Sequence, residues 1–307
     1  MSDLEIIFLG TSGSVPTTDR SLPSIALRRK GEIILFDCGE GTQRQIINAK
    51  IGFKRRMKIF ITHMHGDHLF GLPGLLQTMS LMDRRDTLKI YGPKGISAFI
   101  KALELTAYLH LPFRLEVHDI EAGGVVCEEE EYAIHACPTR HSVPGFAYAL
   151  IEKPRPGRFY PEKALALGVP KGSLWSQLQM GKCVKLPDGR VIEPRMVLGP
   201  PRPGRKVVYS GDTRPLKEMI ELASGADVLI HEATLGDELK ERAEVEGHST
   251  PSEAAEVALK AGVKMLILTH LSARYRDVTP ILNQALQVFP NVQVAYDLMR
   301  IKVPLKE

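Results

Sequence analysis

The chain has 307 residues, of which 44% are hydrophobic and 25% are charged, so its composition excludes a disordered or fibrous protein. No segment approaches the roughly 20 consecutive apolar residues that span a bilayer, and residues 1–10 lack the pattern of a secretory signal. We therefore expect a cytoplasmic protein that does not enter a membrane. The four cysteines contain no CxxC pair, and we expect all of them to be reduced and buried.

Strand and helix patterns alternate on both sides of a central segment, which predicts an α/β fold. In the first half, apolar runs predict strands at residues 5–9, 32–36, 57–61 and 87–91. Helical periodicity in the same half covers residues 42–49, 67–82 and 94–109. In the second half we expect strands at residues 206–210, 228–231, 264–269 and 292–295, and helices at residues 251–261 and 279–288.

The central segment, residues 153–206, differs from the rest of the chain in charge and composition. It holds 12 Lys and Arg against 3 Asp and Glu, a net charge of +9, whereas the remainder of the chain carries −5. Nine of the 21 prolines and seven of the 26 glycines also lie here. This composition predicts a mobile projection rather than a second core, inserted into a single catalytic domain that spans residues 1–307.

A dense group of ligand-type side chains follows the predicted strand at residues 57–61. His63, His65, Asp67 and His68 fall within six residues, in the pattern HxHxDH. A strand that ends in such a loop brings several nitrogen and oxygen donors into one small volume, and zinc prefers that mixture over calcium or magnesium. The motif therefore predicts a zinc hydrolase.

Three further ligand types, His141, Asp212 and His270, follow apolar runs in the same way. Side chains just past a strand end are rigidly placed and can meet in a cleft. Two zinc ions would be coordinated by these three residues together with the four of the HxHxDH motif, and a two-metal site suits phosphodiester hydrolysis. We assign His63, His65 and His141 to one ion, Asp67, His68 and His270 to the other, and Asp212 to the bridge between them.

The sequences around these residues resemble the tRNase Z family of the metallo-β-lactamase superfamily, in its short form. The resemblance runs from about residue 5 to residue 300. Its most specific parts are residues 36–45 (FDCGEGTQRQ), 71–75 (GLPGL), 209–215 (YSGDTRP), 231–234 (HEAT), 247–250 (GHST) and 270–275 (HLSARY).

The resemblance implies an endoribonuclease that removes the 3′ trailer from precursor tRNA, leaving a tRNA 3′-hydroxyl and a 5′-phosphorylated trailer. It also implies an αββα sandwich with the metal cleft at one edge, two zinc ions per subunit, a homodimer, and a flexible arm that grips the tRNA. The basic segment 153–206 agrees with such an arm because Lys and Arg bind phosphates by releasing counterions. Lys171, Lys182 and Lys185 are its candidate RNA contacts.

Catalytic roles are expected for four residues outside the arm. Asp67 resembles the family's proton acceptor. His248 is the candidate general acid for the leaving oxygen, and Glu232 would hold its other ring nitrogen. Arg274 could clamp the substrate phosphate with two hydrogen bonds, or it could pair with Asp277 on the surface.

Other functions of the same fold are weaker alternatives. A hydrolase of small thioesters, lactones or phosphodiesters would use the same seven ligands, but that chemistry does not need a basic arm. An RNA-binding module with a structural metal site does not need the His248 and Glu232 pair. A nucleotide cofactor is not expected, because no Lys follows the glycine-rich residues 10–14 at the Walker position and Arg44 replaces the last glycine of a dinucleotide motif.

Overall fold

Strands make up most of the framework in the computed structural model, which describes residues 4–107 and 109–306. In chain order they are β1 (Leu4–Gly10), β2 (Ser12–Gly13), β3 (Ser24–Arg29), β4 (Glu32–Phe36), β5 (Met57–Phe60), β6 (Leu88–Pro93), β7 (Leu115–Ile120), β8 (Gly124–Glu128), β9 (Tyr132–Pro138), β10 (Phe146–Glu152), β11 (Val184–Lys185), β12 (Val191–Ile192), β13 (Lys206–Tyr209), β14 (Val228–Glu232), β15 (Leu266–Thr269), β16 (Leu271–Ser272), β17 (Val292–Val294) and β18 (Arg300–Val303).

The α-helices of the described residues are mostly short. They are α1 (Thr42–Asn48), α2 (Gly66–Leu69), α3 (Gly71–Leu81), α4 (Ile96–Thr106), α5 (Pro161–Ala166), α6 (Ser173–Gln179), α7 (Pro194–Val197), α8 (Lys217–Ala223), α9 (Lys240–Glu246), α10 (Pro251–Ala261) and α11 (Thr279–Leu286). None of these helices combines the length and the hydrophobicity that crossing a bilayer requires.

Two seven-stranded sheets form the centre of the larger unit. The first has the order β18-β1-β3-β4-β5-β6-β7, and the second has the order β17-β15-β14-β13-β10-β9-β8. Each sheet contains a parallel part, β4 to β7 in the first and β13, β14, β15 and β17 in the second. Because parallel strands end at the same edge, the segments that follow them start close together.

Alternating side chains of the central strands explain why the sheets face each other. In β4, Ile34 and Phe36 lie in the core between the sheets, while Ile33 and Leu35 lie in the core under the helices. This period of two is the signature of a strand that is buried on both faces, and it appears in the sequence as a continuous apolar run. Helices α1, α3 and α4 cover the first sheet, and α8, α10 and α11 cover the second. The predicted αββα sandwich is therefore present.

Residues 152–205, together with the last described residues of the chain, form a second compact unit. It has a small core of its own, in which Ala164, Leu178, Val184, Ile192 and Val197 are buried. The expectation of a projection without a core was wrong in this respect. Its elements have two to seven residues each, too few for a helical or strand period to repeat in the sequence.

Several smaller expectations also need correction. The helix predicted at residues 67–82 is divided into α2 and α3 at Phe70. Strands β3 and β7 and helices α8 and α9 were not predicted, because they are short or carry charged residues that break the apolar period. Strand β10, a mostly apolar run of seven residues, was also not predicted. The helix predicted at residues 94–109 is observed as α4, and residue 108 lies outside the described residues. All four cysteines are free, but Cys183 is exposed rather than buried.

Candidate metal centre and active site

The predicted ligands come together at the edge where the parallel strands of both sheets end. His63 lies three residues beyond β5 and forms an isolated bridge with Gly145. Asp212 follows β13, and His270 follows β15 directly with a left-handed φ of 58°. The short parallel pairing of β2 with β16 holds the segment around His270 against Gly13. Five separate segments of the chain therefore contribute to one cleft.

Three ring nitrogens form the first group of candidate ligands. His63 Nε2 lies 3.0 Å from His65 Nδ1, and His141 Nε2 lies 3.2 Å from the same atom. Burial and then the charge of the neighbouring His68 lower the pKa of His63 to about 2, which keeps this imidazole neutral. Neutral imidazole is the form that binds metal ions.

A second group lies beside the first and consists of Asp67, His68 and His270. His68 Nε2 and His270 Nε2 are 3.2 Å apart, and Asp67 Oδ2 is 3.5 Å from each of them. Burial opposes ionisation of Asp67, but its contacts with His270 and His68 hold its pKa well below the ordinary value. This group therefore presents a carboxylate and two imidazoles to one point.

Asp212 lies between the two groups. Its Oδ2 atom is 3.3 Å from His270 Nε2, 3.5 Å from His68 Nε2, 3.8 Å from His63 Nε2 and 4.0 Å from His141 Nε2. Its Oδ1 atom is buried and has no hydrogen-bond partner among the described residues. An unpaired buried carboxylate oxygen is costly unless a cation is bound beside it. The orphaned oxygen and the converging nitrogens fit a centre for divalent metal ions.

Hydrogen bonds on the outer side of the rings fix which nitrogen carries the proton. His68 Nδ1 lies 2.7 Å from Asp37 Oδ2, and His141 Nδ1 lies 2.9 Å from the carbonyl oxygen of Gly247. A carboxylate and a carbonyl can only accept, so both Nδ1 atoms must donate. In the neutral form of these two rings, the Nε2 atoms therefore present lone pairs to the centre, as metal ligands do.

The donor nitrogen of His270 is fixed in a similar way, through the Thr234 hydroxyl and Glu232. Its Nδ1 lies 2.8 Å from the Thr234 hydroxyl oxygen, whose own proton is donated to Glu232 Oε2 at 2.7 Å. The Thr234 oxygen is thus an acceptor for His270, and His270 Nε2 is left with its lone pair facing inward. Gly13 makes room for this ring, because a Cβ atom there would lie 2.7 Å from the imidazole.

His248 and Glu232 form a buried pair at the same edge. His248 Nδ1 donates to Glu232 Oε1 at 3.0 Å, and the backbone N–H groups of Thr213 and Ser249 donate to the same oxygen. Burial lowers the pKa of His248, but the charge of Glu232 outweighs burial and raises it to about 9. The pair can therefore hold a proton on an imidazole that faces the cleft.

A cleft of about 350 Å³ gives access to these groups. Ser14, His65, Asp67, His141, Asp212 and His248 are among the residues that line it. Ser14 also donates its backbone N–H to Asp67 Oδ2 at 2.9 Å, which fixes the orientation of that carboxylate. The cleft thus contains metal-ligand atoms, a carboxylate and a candidate proton donor in one volume.

The remaining predicted residues lie outside this cluster. Arg274 is exposed and donates from Nε to the Ser272 hydroxyl at 3.1 Å, while Asp277 accepts from the backbone of Thr279 rather than pairing with Arg274. Lys171, Lys182 and Lys185 are all exposed within the unit formed by residues 152–205.

Sequence reasoning missed the residues that orient the ligands. Asp37 is fully buried with a φ of 59° and accepts hydrogen bonds from His68, from the backbone N–H of Thr62 and from the Tyr209 hydroxyl. The available signal was an aspartate directly after the apolar strand at residues 32–36. That position indicated a strand end, but nothing in the sequence indicated that its partner is His68.

Comparison with known proteins places the chain among close relatives. Residues 4–151 match the family model of the Anti-Pycsar protein Apyc1, and residues 195–271 match that of the Beta-lactamase superfamily domain. A protein of Methanosarcina acetivorans named Ribonuclease Z is 49% identical over 304 residues, with 99% of each chain covered.

Solved structures extend this comparison to the fold. The short form of human tRNase Z is similar with a TM-score of 0.72 and 31% identity, covering 98% of this chain and 100% of that one. The metallo-β-lactamase fold protein YhfI of Bacillus subtilis has a TM-score of 0.69 at 18% identity, again covering 98% and 100%. The expected metallo-β-lactamase type of sandwich is thereby confirmed.

Replacing Asp37 by Asn should weaken metal binding because the amide can turn its NH₂ group toward His68 Nδ1 and disturb the tautomer. Loss of such an orienting partner typically reduces metal affinity about 10- to 100-fold. Competition with a chelator, followed by metal analysis, measures the change, and Asp119→Asn in β7, whose carboxylate accepts from the backbone N–H of Gly95, serves as an exposed control. Unchanged affinity in Asp37→Asn would contradict the orienting role.

Proposed function

The chain belongs to the ribonuclease Z family of endoribonucleases, as its motifs predicted, and we propose that it removes the 3′ trailer from precursor tRNA with two zinc ions bound per subunit. The observation that carries this proposal is the cleft itself. Two groups of inward-facing ligand atoms, the Asp212 carboxylate between them and the His248–Glu232 pair lie together at one edge of the sheets.

Zinc suits the donors that the chain presents. His63, His65 and His141 would hold one ion, Asp67, His68 and His270 the other, and Asp212 would contact both. A set dominated by imidazole, without thiolates, favours zinc over magnesium or calcium. Bound there, the two ions would provide an activated water near neutral pH and would neutralise the charge of the phosphate.

Two side chains handle the protons of the reaction. The Asp67 carboxylate faces the cleft and accepts the proton of the attacking water. His248 donates a proton to the oxygen that leaves with the tRNA, since its Nδ1 is already bound to Glu232 and its other nitrogen is available. Protonation of this oxygen yields a tRNA 3′-hydroxyl, and the phosphate stays on the 5′ end of the trailer.

The basic unit of residues 152–205 supplies affinity for the tRNA body. Its lysines 171, 182 and 185 are exposed and therefore available to phosphates, which bind Lys and Arg by releasing counterions. Arg274, whose guanidinium is exposed outside that unit, is proposed to contact a phosphate of the substrate. The homodimer implied by the family resemblance, and the cytoplasmic location expected from the sequence, belong to the same proposal.

The central experiment is a map of the products. Zinc-loaded protein is incubated with a precursor tRNA labelled at either end, and both new termini are identified. We expect a single cut that yields a mature 3′-hydroxyl and a 5′-phosphorylated trailer. Hydrolysis of bis(p-nitrophenyl) phosphate without cleavage of the precursor would instead support a hydrolase of small phosphodiesters.

Substituting His248 by Ala separates its proposed role from metal binding. Cleavage of precursor tRNA should fall about 10²- to 10⁴-fold, which is the range for loss of a general acid. Hydrolysis of bis(p-nitrophenyl) phosphate should fall much less, because p-nitrophenolate leaves without being protonated. Zinc content should be unchanged, and the exposed His110 provides a matched His→Ala control. Equal losses on both substrates would rule out the general-acid role.

Neutralising the arm lysines tests the RNA contacts without disturbing a core. In the triple variant Lys171→Ala, Lys182→Ala, Lys185→Ala, each lost phosphate contact should reduce the salt slope of log K by about 0.9 and weaken tRNA binding. Filter binding at several salt concentrations measures both quantities. The matched control replaces Lys101, Lys217 and Lys260, three exposed lysines outside residues 152–205. If both triple variants lose affinity equally, the arm has no specific part in binding.

A further inference from the structure

A second cavity lies in the larger unit, outside the metal cluster. It has a volume of about 600 Å³ and is formed between the loop of residues 16–21 and the start of α1. This volume is within the range of ligand pockets. Ser14 lines the metal cleft, and Pro16, two residues further along, lines this cavity. Since consecutive Cα atoms are about 3.8 Å apart, the two linings lie within about 8 Å along this loop.

The floor of the cavity is a fixed hydrogen-bonded network around Asp297. Its Oδ1 accepts from the Thr11 hydroxyl at 2.8 Å, and its Oδ2 accepts from the backbone N–H of Ser21 at 2.7 Å and from Gln45 Nε2 at 2.9 Å. Gln45 Nε2 also donates to the carbonyl of Leu9 at 2.7 Å. The network joins β1, the loop and α1, so the cavity has a preformed shape.

Two polar atoms in the walls have unused hydrogen-bonding capacity. Arg20 Nη1 and Gln43 Oε1 are both closed off from solvent and have no hydrogen-bond partner among the described residues. Unpaired buried polar atoms are unfavourable, and both residues line the same cavity. A ligand toward which the two side chains turn slightly would supply an acceptor for Arg20 and a donor for Gln43.

The charges around the cavity argue against a phosphate as this ligand. Asp19 and Glu40 lie exposed in the lining beside Arg20 and Arg44, and Asp297 forms the floor, so acidic groups outnumber basic ones. A nucleobase carries no charge and presents both donors and acceptors on its edge. Guanine matches best, because its O6 and N7 atoms accept from a guanidinium while its ring N–H and amino group can donate to an amide oxygen.

We propose that this cavity is a subsite for an unstacked base, with preference for guanine, adjacent to the scissile bond of the RNA substrate. The inference rests on the proposed ribonuclease function and adds a determinant of base selectivity to it. Arg20 donates hydrogen bonds to O6 and N7 of the guanine, and the Gln43 amide oxygen accepts from the donors of the same base. The short loop that connects this cavity to the metal cleft places the base next to the phosphate that is cut.

The test compares precursor tRNAs that differ only in the base on either side of the cleavage point. For wild-type protein we expect the highest kcat/KM when guanine occupies one of these two positions. Arg20→Lys, which keeps the charge but removes the planar fork, should lower kcat/KM on that precursor about 5- to 150-fold more than on bis(p-nitrophenyl) phosphate. Gln43→Leu, at the second unpaired atom of the lining, gives an independent measurement of the same loss.

Arg114→Gln is the matched control, because Arg114 is 76% exposed and lies just before the edge strand β7. It should leave the base profile unchanged, and thermal unfolding and zinc content should be recorded for all variants. Equal kcat/KM for all four bases, or the same base profile in wild type and both cavity variants, would overturn the subsite while the proposed function stands. A wild-type protein that hydrolyses bis(p-nitrophenyl) phosphate but cuts no precursor would remove the proposed function, and the subsite with it.

Discussion

Two imidazole nitrogens that face each other at 3.2 Å, His68 Nε2 and His270 Nε2, set the constraint on which the cleft depends. His68 and His270 each use Nδ1 as a hydrogen-bond donor, toward Asp37 and toward Thr234. In the neutral form of both rings the two Nε2 lone pairs face each other, an unfavourable contact that a bound cation would relieve. Because the unfolded chain does not preform this arrangement, metal binding here would contribute directly to the stability of this edge of the fold.

Glu232 connects the metal centre with the proposed general acid. Its Oε2 fixes the Thr234 hydroxyl, which in turn accepts from His270, and its Oε1 accepts from His248. One buried carboxylate thus orients a candidate metal ligand and the proposed proton donor at the same time. Strand β14 ends at Glu232 and pairs with β15, which ends just before His270. The parallel register of these strands therefore sets the distance between Glu232 and His270. Rigid strand ends are well suited to hold such geometry.

The sequence predicted those features that depend on local spacing. The HxHxDH motif, the apolar runs and the polar residues after them were sufficient to predict an α/β fold and to select the side chains that the structure brings together, whereas the sandwich was expected from the family resemblance. Features that depend on distant partners were not predictable in this way. Asp37 orients His68 from 31 positions away, and the small core around Leu178 is built from elements too short to show a period. The exposure of Cys183 likewise depends on where a turn places it, which its neighbours in sequence do not determine.

Positive and negative charge are concentrated in different parts of the chain. Residues 153–206 carry a net +9, whereas the rest of the chain carries −5, so the unit that holds the catalytic groups would by itself repel a polyanion. Divalent cations bound in the cleft would reverse the sign locally, where Asp67 and Asp212 otherwise oppose a phosphate. Under the proposed function, affinity for RNA would depend on two sources of positive charge with different origins, the Lys and Arg side chains of the arm and the metal ions. Salt would weaken the first by competition for phosphates, while acid would weaken the second by protonating the imidazoles that hold the ions.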